Sequence, residues 1–314
     1  MRIVSPDSGT VHVACAVCGA DDARVRWQTP LDDPEQTPLE AVFRCTNTSY
    51  GHFGRIVECR RCGLLYRDPQ EQDLLSAYTA AVDEDYFDEW PARRSTFQGS
   101  LRQLHRYAQP PGDLLDVGCS TGFFLRVAAE AGWNAVGLEP SRWAVERARA
   151  EGLEVHEGVL GDSPLEGRRF DVVTLWDVLE HVREPQEMLQ AAWGALRPGG
   201  VLGLTTMDVG SLVARLLGSR WPHLMRMHLW YFRRRHVAAI LREVGYEQIV
   251  TCGHARVLSA GYLASRFSFA GERVGRAAVR LVDVLGLAER LVPISLGDLI
   301  AVYARKPREP SGTP

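Results

Sequence analysis

The chain has 314 residues, 46% of them hydrophobic and 24% charged, which is room for one large core with a satellite and the composition of a globular protein. A formal net charge of −3 provides no global attraction to nucleic acid or to an anionic membrane. Met1–Ala14 has no charged stretch followed by an apolar one, and no run of about 18 apolar residues occurs, so a cytoplasmic location is expected. In that reducing compartment the seven cysteines are expected as metal ligands or free thiols rather than disulfides.

Cys15-Ala16-Val17-Cys18-Gly19 and Cys59-Arg60-Arg61-Cys62-Gly63 repeat one knuckle, two thiolates on a tight turn followed by a glycine. Two such knuckles complete a tetrahedral four-cysteine zinc site, so residues 1–70 are expected to form a zinc ribbon with short strands near Arg55–Val57 and Leu64–Arg67. Four thiolates leave no open coordination position, which makes this zinc structural. A further cysteine, Cys45, lies between the knuckles. Up to Gln70 there are eight arginines, nine acids and no lysine, not the basic face that phosphate binding needs, so the module is expected to dock on its neighbour or on substrate. Residues 71–108 read as a helical linker carrying Tyr78, Tyr86, Phe87, Trp90 and Phe97. Tyr86 and Trp90 are candidates to close over a substrate, although aromatics at helical spacing more often pack.

From residue 109 strands and helices alternate. Asp113–Val117 is an apolar strand, and Gly118-Cys119-Ser120-Thr121-Gly122 is a turn that opens a helix at Phe123. Gly118-x-Ser120-x-Gly122 matches a hydrolase nucleophile elbow, and it misses the dinucleotide fingerprint because serine holds the middle position. Further strands are expected at Ala135–Leu138, Glu154–Glu157, Phe170–Trp176, Val201–Thr206, Tyr246–Cys252 and Leu299–Ala304. Helices are expected at Ser141–Glu151, Pro185–Leu196 and Arg233–Val244, the first capped by Ser141. Asp116 precedes the turn and Glu139 ends the second strand, where a carboxylate accepts both ribose hydroxyls. The turn suits a nucleoside without phosphates, of which S-adenosylmethionine is one.

These residues resemble the class I S-adenosylmethionine-dependent methyltransferases. The resemblance rests on Leu115–Gly122, on Gly137-Leu138-Glu139-Pro140-Ser141 and on Phe170–Val182. Leu196-Arg197-Pro198-Gly199-Gly200 and His228-Leu229-Trp230-Tyr231-Phe232 extend it over roughly residues 110–250. It implies a doubly wound, Rossmann-like α/β sheet of seven strands with the last antiparallel, a domain over 109–314. By the same resemblance Gly118, Cys119, Ser120, Gly122 and Phe123 wrap the methionine part of the cofactor, supported by Asp116. Glu139 and Pro140 lie at the ribose, Leu160 and Asp162 flank the adenine, and Trp176 and Asp177 border the sulfonium. Ser120 stands where many relatives have glycine.

Methyl transfer is mostly positioning, with a base needed only where the acceptor loses a proton. The catalytic candidates are His181, His228 and Tyr231, among a wider set with Asp177, Glu180 and Asp208. Asp177-x-x-Glu180-His181 also resembles the divalent-metal segment of some quinone-pathway O-methyltransferases. Residues 253–297 read as two helices, a cap over the substrate cleft, with Arg273, Arg276 and Arg280 beside an apolar stripe of Val274, Leu281 and Leu285. Peripheral membrane contact is the less favoured reading of that pattern.

The expected activity is methylation of a small molecule (a sugar, natural product or envelope precursor) at oxygen or carbon. Ribbon-then-methyltransferase order is similar to bacterial deoxysugar C-methyltransferases, which carry a further large C-terminal domain. Rival readings are an RNA methyltransferase with a zinc finger, a cofactor-binding scaffold without catalysis, and a serine hydrolase. The sequence leaves oligomeric state open.

Overall fold

A computed structural model describes residues 10–31, 39–43, 52–84, 90–266 and 272–308. Cys45, Tyr86, Phe87 and Phe267, singled out by sequence, lie outside the described residues.

The amino-terminal module comprises β1 (Thr10–Val11), β2 (Ala23–Gln28), α1 (Leu39–Val42), β3 (Arg55–Cys59), β4 (Leu65–Arg67) and β5 (Gln70–Glu71). Strands β2, β3 and β4 form an antiparallel meander, and β1 pairs with β5. Two helices follow, α2 (Leu74–Ala80) and α3 (Trp90–Leu104), where the sequence predicts a helical linker.

The second unit alternates as expected: β6 (Asp113–Val117), α4 (Phe123–Glu130), β7 (Asn134–Glu139), α5 (Arg142–Ala150), β8 (Glu154–Glu157), β9 (Phe170–Trp176), α6 (Pro185–Ala195) and β10 (Leu196–Met207). Then come α7 (Leu212–Leu217), β11 (Trp230–Tyr231), α8 (Arg234–Val244) and β12 (Glu247–Gly253). The chain continues through β13 (Arg256–Ser259), α9 (Ala260–Arg266), α10 (Glu272–Val284) and β14 (Leu291–Ile294) to β15 (Leu299–Arg305).

Seven of these strands form one sheet in the order β12-β15-β10-β9-β6-β7-β8. The pairs β8/β7, β7/β6, β6/β9 and β9/β10 are parallel, and β15 runs antiparallel to both β10 and β12. The order reverses between β6 and β9, and a crevice for a ligand opens at the carboxyl ends on either side of such a reversal. Alternation along each strand sends neighbouring side chains to opposite faces. Leu115 and Val173 join α6 and α8 on one side, and Leu114 and Val172 join α3 and α4 on the other. Both faces are therefore covered, which is why β9 reads as an almost unbroken apolar run.

Local signals place the helices. Ser141 Oγ accepts the Ala144 amide at 3.4 Å and starts α5. Gly245, at φ 109, stops α8. One expectation shifts: the helix expected to Leu196 ends at Ala195, and the strand expected from Val201 already begins at Leu196. The register against β9 jumps from Leu196 to Val201, so the Pro-Gly-Gly segment is an irregularity within the strand.

The amino-terminal module is stitched to the core. Strand β11 pairs with β4, Trp230 opposite Tyr66 and Tyr231 opposite Leu65, and completes a four-stranded sheet. Beside it the Arg67 amide donates to the Leu229 carbonyl at 2.9 Å. Buried Glu71 accepts from the guanidinium of Arg67 at 2.9 Å and of Arg226 at 3.0 Å. His236 Nε2, at the start of α8, donates to the Cys62 carbonyl at 3.1 Å.

Between β12 and β15 the two expected helices, α9 and α10, are bracketed by an unexpected hairpin of β13 and β14. Four residues of β13 give little periodic signal, and their position is fixed from outside by Thr96 of α3, whose Oγ1 accepts the Val257 amide at 2.8 Å. Among the described residues no helix is long and apolar enough to cross a membrane.

Candidate active site

The turn after β6 is fixed by its backbone. The Gly118 amide donates to the Leu138 carbonyl at 2.8 Å, which holds the turn against β7. Gly118 and Gly122 sit at φ 70 and 82, and a Cβ on either would meet Val178 at 2.7 Å or Leu153 at 2.4 Å. Ser120, at φ 49, occupies the same left-handed region, which favours glycine. Its amide donates to Glu139 Oε2 at 2.9 Å.

Glu139 is fully buried. Its Oε1 accepts the Ser141 amide at 2.8 Å, and the Tyr78 hydroxyl donates to Oε2 at 3.3 Å. Burial pushes its carboxyl up to about 7, against these hydrogen bonds. Asp116, also buried, accepts the Thr174 hydroxyl at 2.6 Å. Burial, reinforced by the charge of Glu139, pushes Asp116 up to about 8. Cys119 is buried, and Pro140 links Glu139 to the helix cap at Ser141. Phe123 packs at a tilt against Trp90 of α3 with ring centres 4.9 Å apart, so α3 covers the start of α4. Buried Thr121 Oγ1 and Trp176 Nε1 have no hydrogen-bond partner. Beyond β8, Asp162 is exposed and forms a bridge with Val159, and Leu160 is half-buried against the core.

A second cluster gathers at the carboxyl ends of β9 and β10. Asp177 has φ 56, and the Thr205 hydroxyl both accepts its amide at 3.0 Å and donates to its Oδ1 at 2.9 Å. Its other oxygen takes the guanidinium of Arg256, which enters from β13. Burial pushes the Asp177 carboxyl up, and Arg256 with His254 outweighs it and holds the group at about 2. Glu180 is buried; the Thr206 hydroxyl donates to its Oε2 at 3.0 Å, and Oε1 has no partner. Burial and then the charge of Asp177 push Glu180 up to about 8.

His181 Nδ1 lies 3.1 Å from the Met227 carbonyl, and His228 Nδ1 lies 2.7 Å from the His223 carbonyl. Each contact requires a proton on Nδ1, which leaves Nε2 of both rings as a lone-pair donor. The rings are 4.8 Å apart, and donor atoms of Glu180, His181 and His228 all lie within 4.8 Å of one another. Burial lowers both histidines, so both are neutral at pH 7. Tyr231 is placed differently from these two. Its hydroxyl donates to the Met225 carbonyl at 3.0 Å, and its ring is buried in a cluster with Ile56 and Leu65 of the amino-terminal module.

The four knuckle cysteines converge. Cys15 Sγ is 3.4 Å from Cys62 Sγ, Cys18 Sγ is 3.6 Å from Cys59 Sγ, and all four sulfurs lie within 4.8 Å. Tetrahedral thiolates at about 2.3 Å from zinc are about 3.8 Å apart, so the set fits that ion.

Sequence reasoning missed Tyr78 as a neighbour of Glu139, and it missed Thr205, His223, His254 and Arg256. His254 and Arg256 directly follow β12 at the carboxyl edge of the sheet, a position that itself signals function in open α/β folds. Tyr78 arrives from outside the sheet and carries no such signal.

Comparisons with known proteins agree with this architecture. The chain is 34% identical over 199 residues to the ubiquinone biosynthesis O-methyltransferase of Cereibacter sphaeroides (strain ATCC 17025 / ATH 2.4.3), covering 61% of this chain and 71% of that protein. It is 28% identical over 159 residues to the protein of the same name from Proteus mirabilis (strain HI4320), covering 43% and 65%. It spans only 45% to 66% of the length of three such curated relatives. In fold it is similar to a solved chain from the complex between the Haloferax volcanii Trm112 methyltransferase activator and the putative methyltransferase. That likeness has a TM-score of 0.51 at 17% identity, over 73% of this chain and 99% of the other. A family model described as a methyltransferase domain matches residues 88–251, more than half of the chain and all of the Gly118–Glu139 and Asp177–His228 site, and the protein belongs to that family.

Proposed function

We propose that the chain transfers a methyl group from S-adenosylmethionine to an oxygen or carbon nucleophile of a small molecule. The observation that carries the reading is Glu139, a buried carboxylate at the strand-order reversal beside a left-handed turn at Ser120. A vicinal diol matches it, because both hydroxyls can donate to one carboxylate. Unpartnered Thr121 Oγ1 and Trp176 Nε1 are further polar atoms for a ligand to satisfy.

In this reading residues 118–123 cradle the methionine part, Glu139 and Pro140 hold the ribose, Leu160 and Asp162 flank the adenine, and Trp176 and Asp177 border the sulfonium. Asp177, ionised at pH 7, complements the sulfonium's positive charge. The sulfonium supplies an activated methyl group, and in-line attack leaves the bonding pair on sulfur. His181 Nε2 accepts the proton of a hydroxyl acceptor, with the His228 ring 4.8 Å away. Tyr231, its hydroxyl engaged, takes a packing role.

Domain organisation follows: a ribbon over 1–70 with a structural zinc on Cys15, Cys18, Cys59 and Cys62, a helical linker over 71–108, and the methyltransferase domain over 109–314. Sugar, natural-product and envelope-precursor acceptors all fit the reading. The curated relatives' names, O-methyltransferases of ubiquinone biosynthesis, support a small-molecule oxygen acceptor.

Calorimetric titration with S-adenosylmethionine tests the proposal; saturable 1:1 binding is expected, and no binding rejects it. One zinc per chain is expected in a metal assay of the purified protein. A second reading places a divalent cation on Glu180, His181 and His228, favoured by the unpartnered Glu180 Oε1. Stoichiometric manganese in equilibrium dialysis, lost in His228→Ala, is its signature.

A further inference from the structure

The six most exposed large apolar side chains among the described residues fall in two short segments. They are Leu212 (69%) and Leu216 (76%) on α7, Leu281 (60%) and Val284 (77%) on α10, and Leu285 (58%) and Leu296 (59%) just beyond. The apolar stripe that the sequence offers as a packing face for α10 is thus turned to solvent, Val274 included at 47%.

The two segments emerge from the same edge of the sheet. Strands β10 and β12 both run antiparallel to β15 and so parallel to each other, and α7 leaves the end of β10 as the cap leaves the end of β12. Asp298, two residues after Leu296, joins them. Its carbonyl accepts the Asp208 amide at 2.8 Å, and its carboxylate accepts Trp221 Nε1 at 2.9 Å from just beyond α7. This edge also carries Asp177, Arg256 and the histidine pair.

The charge of the two segments departs from that of the chain. Residues 212–220 and 272–296 hold six arginines against three acids, a local balance of +3 in a chain of net −3. Those arginines, at 215, 220, 273, 276, 280 and 290, are all exposed. Apolar side chains left in water beside arginines form a surface whose complement is itself apolar below and anionic above. A second copy presenting the same face would set +3 against +3.

We propose that α7 and the α10–Leu296 segment dock on an anionic lipid bilayer, the leucines entering the interface and the arginines meeting lipid phosphates. Docking in this way brings the acceptor cleft to the membrane surface. That last consequence rests on the methyl-transfer reading, whereas the docking itself does not.

The test is co-sedimentation of the full chain, without cofactor, with vesicles of phosphatidylcholine alone or with about 30% phosphatidylglycerol, at low and high salt. Retention on the anionic vesicles is expected, weakened by salt. It should fall at least tenfold in Leu212→Ser/Leu216→Ser, in Leu281→Ser/Val284→Ser and in Arg273→Gln/Arg276→Gln/Arg280→Gln. These positions are solvent-exposed, and unchanged circular dichroism and S-adenosylhomocysteine binding in each variant confirm an intact fold. No retention on anionic vesicles overturns the proposal, as does retention that these substitutions leave unchanged. A concentration-dependent dimer abolished by the leucine variants also overturns it and assigns the face to a second copy. Because no methyl transfer is measured, docking and catalysis fail separately.

Discussion

Replacing Glu139 with alanine is the perturbation to which the cofactor assignment is most exposed. In the structure its two oxygens are already engaged, by the Ser141 amide at 2.8 Å, the Ser120 amide at 2.9 Å and the Tyr78 hydroxyl at 3.3 Å. A ribose that donates two hydroxyls gains two charge-assisted hydrogen bonds, each worth about 1.5–3 kcal/mol. It displaces the long Tyr78 contact, so a net loss of about 2–4 kcal/mol is expected on removing the carboxylate, an about 30- to 850-fold weaker dissociation constant by the usual conversion. Ser120→Ala removes only a hydroxyl, because the contact with Glu139 is made by the amide, and is expected to change affinity by less than about threefold. Quenching of tryptophan fluorescence on titration with S-adenosylhomocysteine reads both, with Trp176 at the end of β9 as reporter. An Ser120→Ala loss larger than that of Glu139→Ala would refute the ribose assignment.

Three further outcomes follow from the same geometry. Asp116 and Glu180, each raised to about 8, bind protons in the folded protein that the unfolded chain has already released near pH 6.5. Stability should therefore fall as pH rises from 6.5 to 8, by roughly 2–4 kcal/mol for the two acids together. Below 6.5 the opposite slope enters, because His223, His236 and His254, each lowered to about 4 by burial, are protonated only on unfolding, so urea melts should show a maximum near pH 6.5. A flat or rising trend from 6.5 to 8 speaks against buried protonated acids. Glu71→Gln leaves the guanidinium groups of Arg67 and Arg226 without their anion at the seam between module and core, and should lower unfolding free energy by about 3–5 kcal/mol in denaturant melts. An effect within error would mean the seam contributes nothing. His181→Ala should leave S-adenosylhomocysteine affinity unchanged and, once a hydroxyl acceptor is identified, lower turnover by about 10²- to 10⁴-fold. Loss of cofactor affinity instead would make His181 a binding group.

Much of the sheet is legible in the sequence because its central strands are buried on both faces and read as apolar runs. Phe170–Trp176 and the Ser141 cap need no tertiary information. Glycine spacing announces the turn at Gly118–Gly122, and the structure adds why Ser120 is tolerated there, since its left-handed backbone is held by Glu139. The hairpin of β13 and β14 was hidden because four-residue strands have no period to detect. Arg256 was hidden with it, because its importance comes from reaching Asp177 across 79 positions of sequence. The pairing of β11 with β4, which ties the cysteine module to the histidine-bearing loop, is likewise a long-range contact, and the burial of Tyr231 against that module cannot be read locally.

The central claim is that the crevice between Gly118–Gly122 and Glu139 binds the nucleoside of S-adenosylmethionine. A crystal structure with S-adenosylhomocysteine tests it most directly. The account predicts both ribose hydroxyls on the Glu139 carboxylate, with the sulfur beside Trp176 and Asp177. A ribose bound elsewhere, with Glu139 still held only by Ser120, Ser141 and Tyr78, would contradict it.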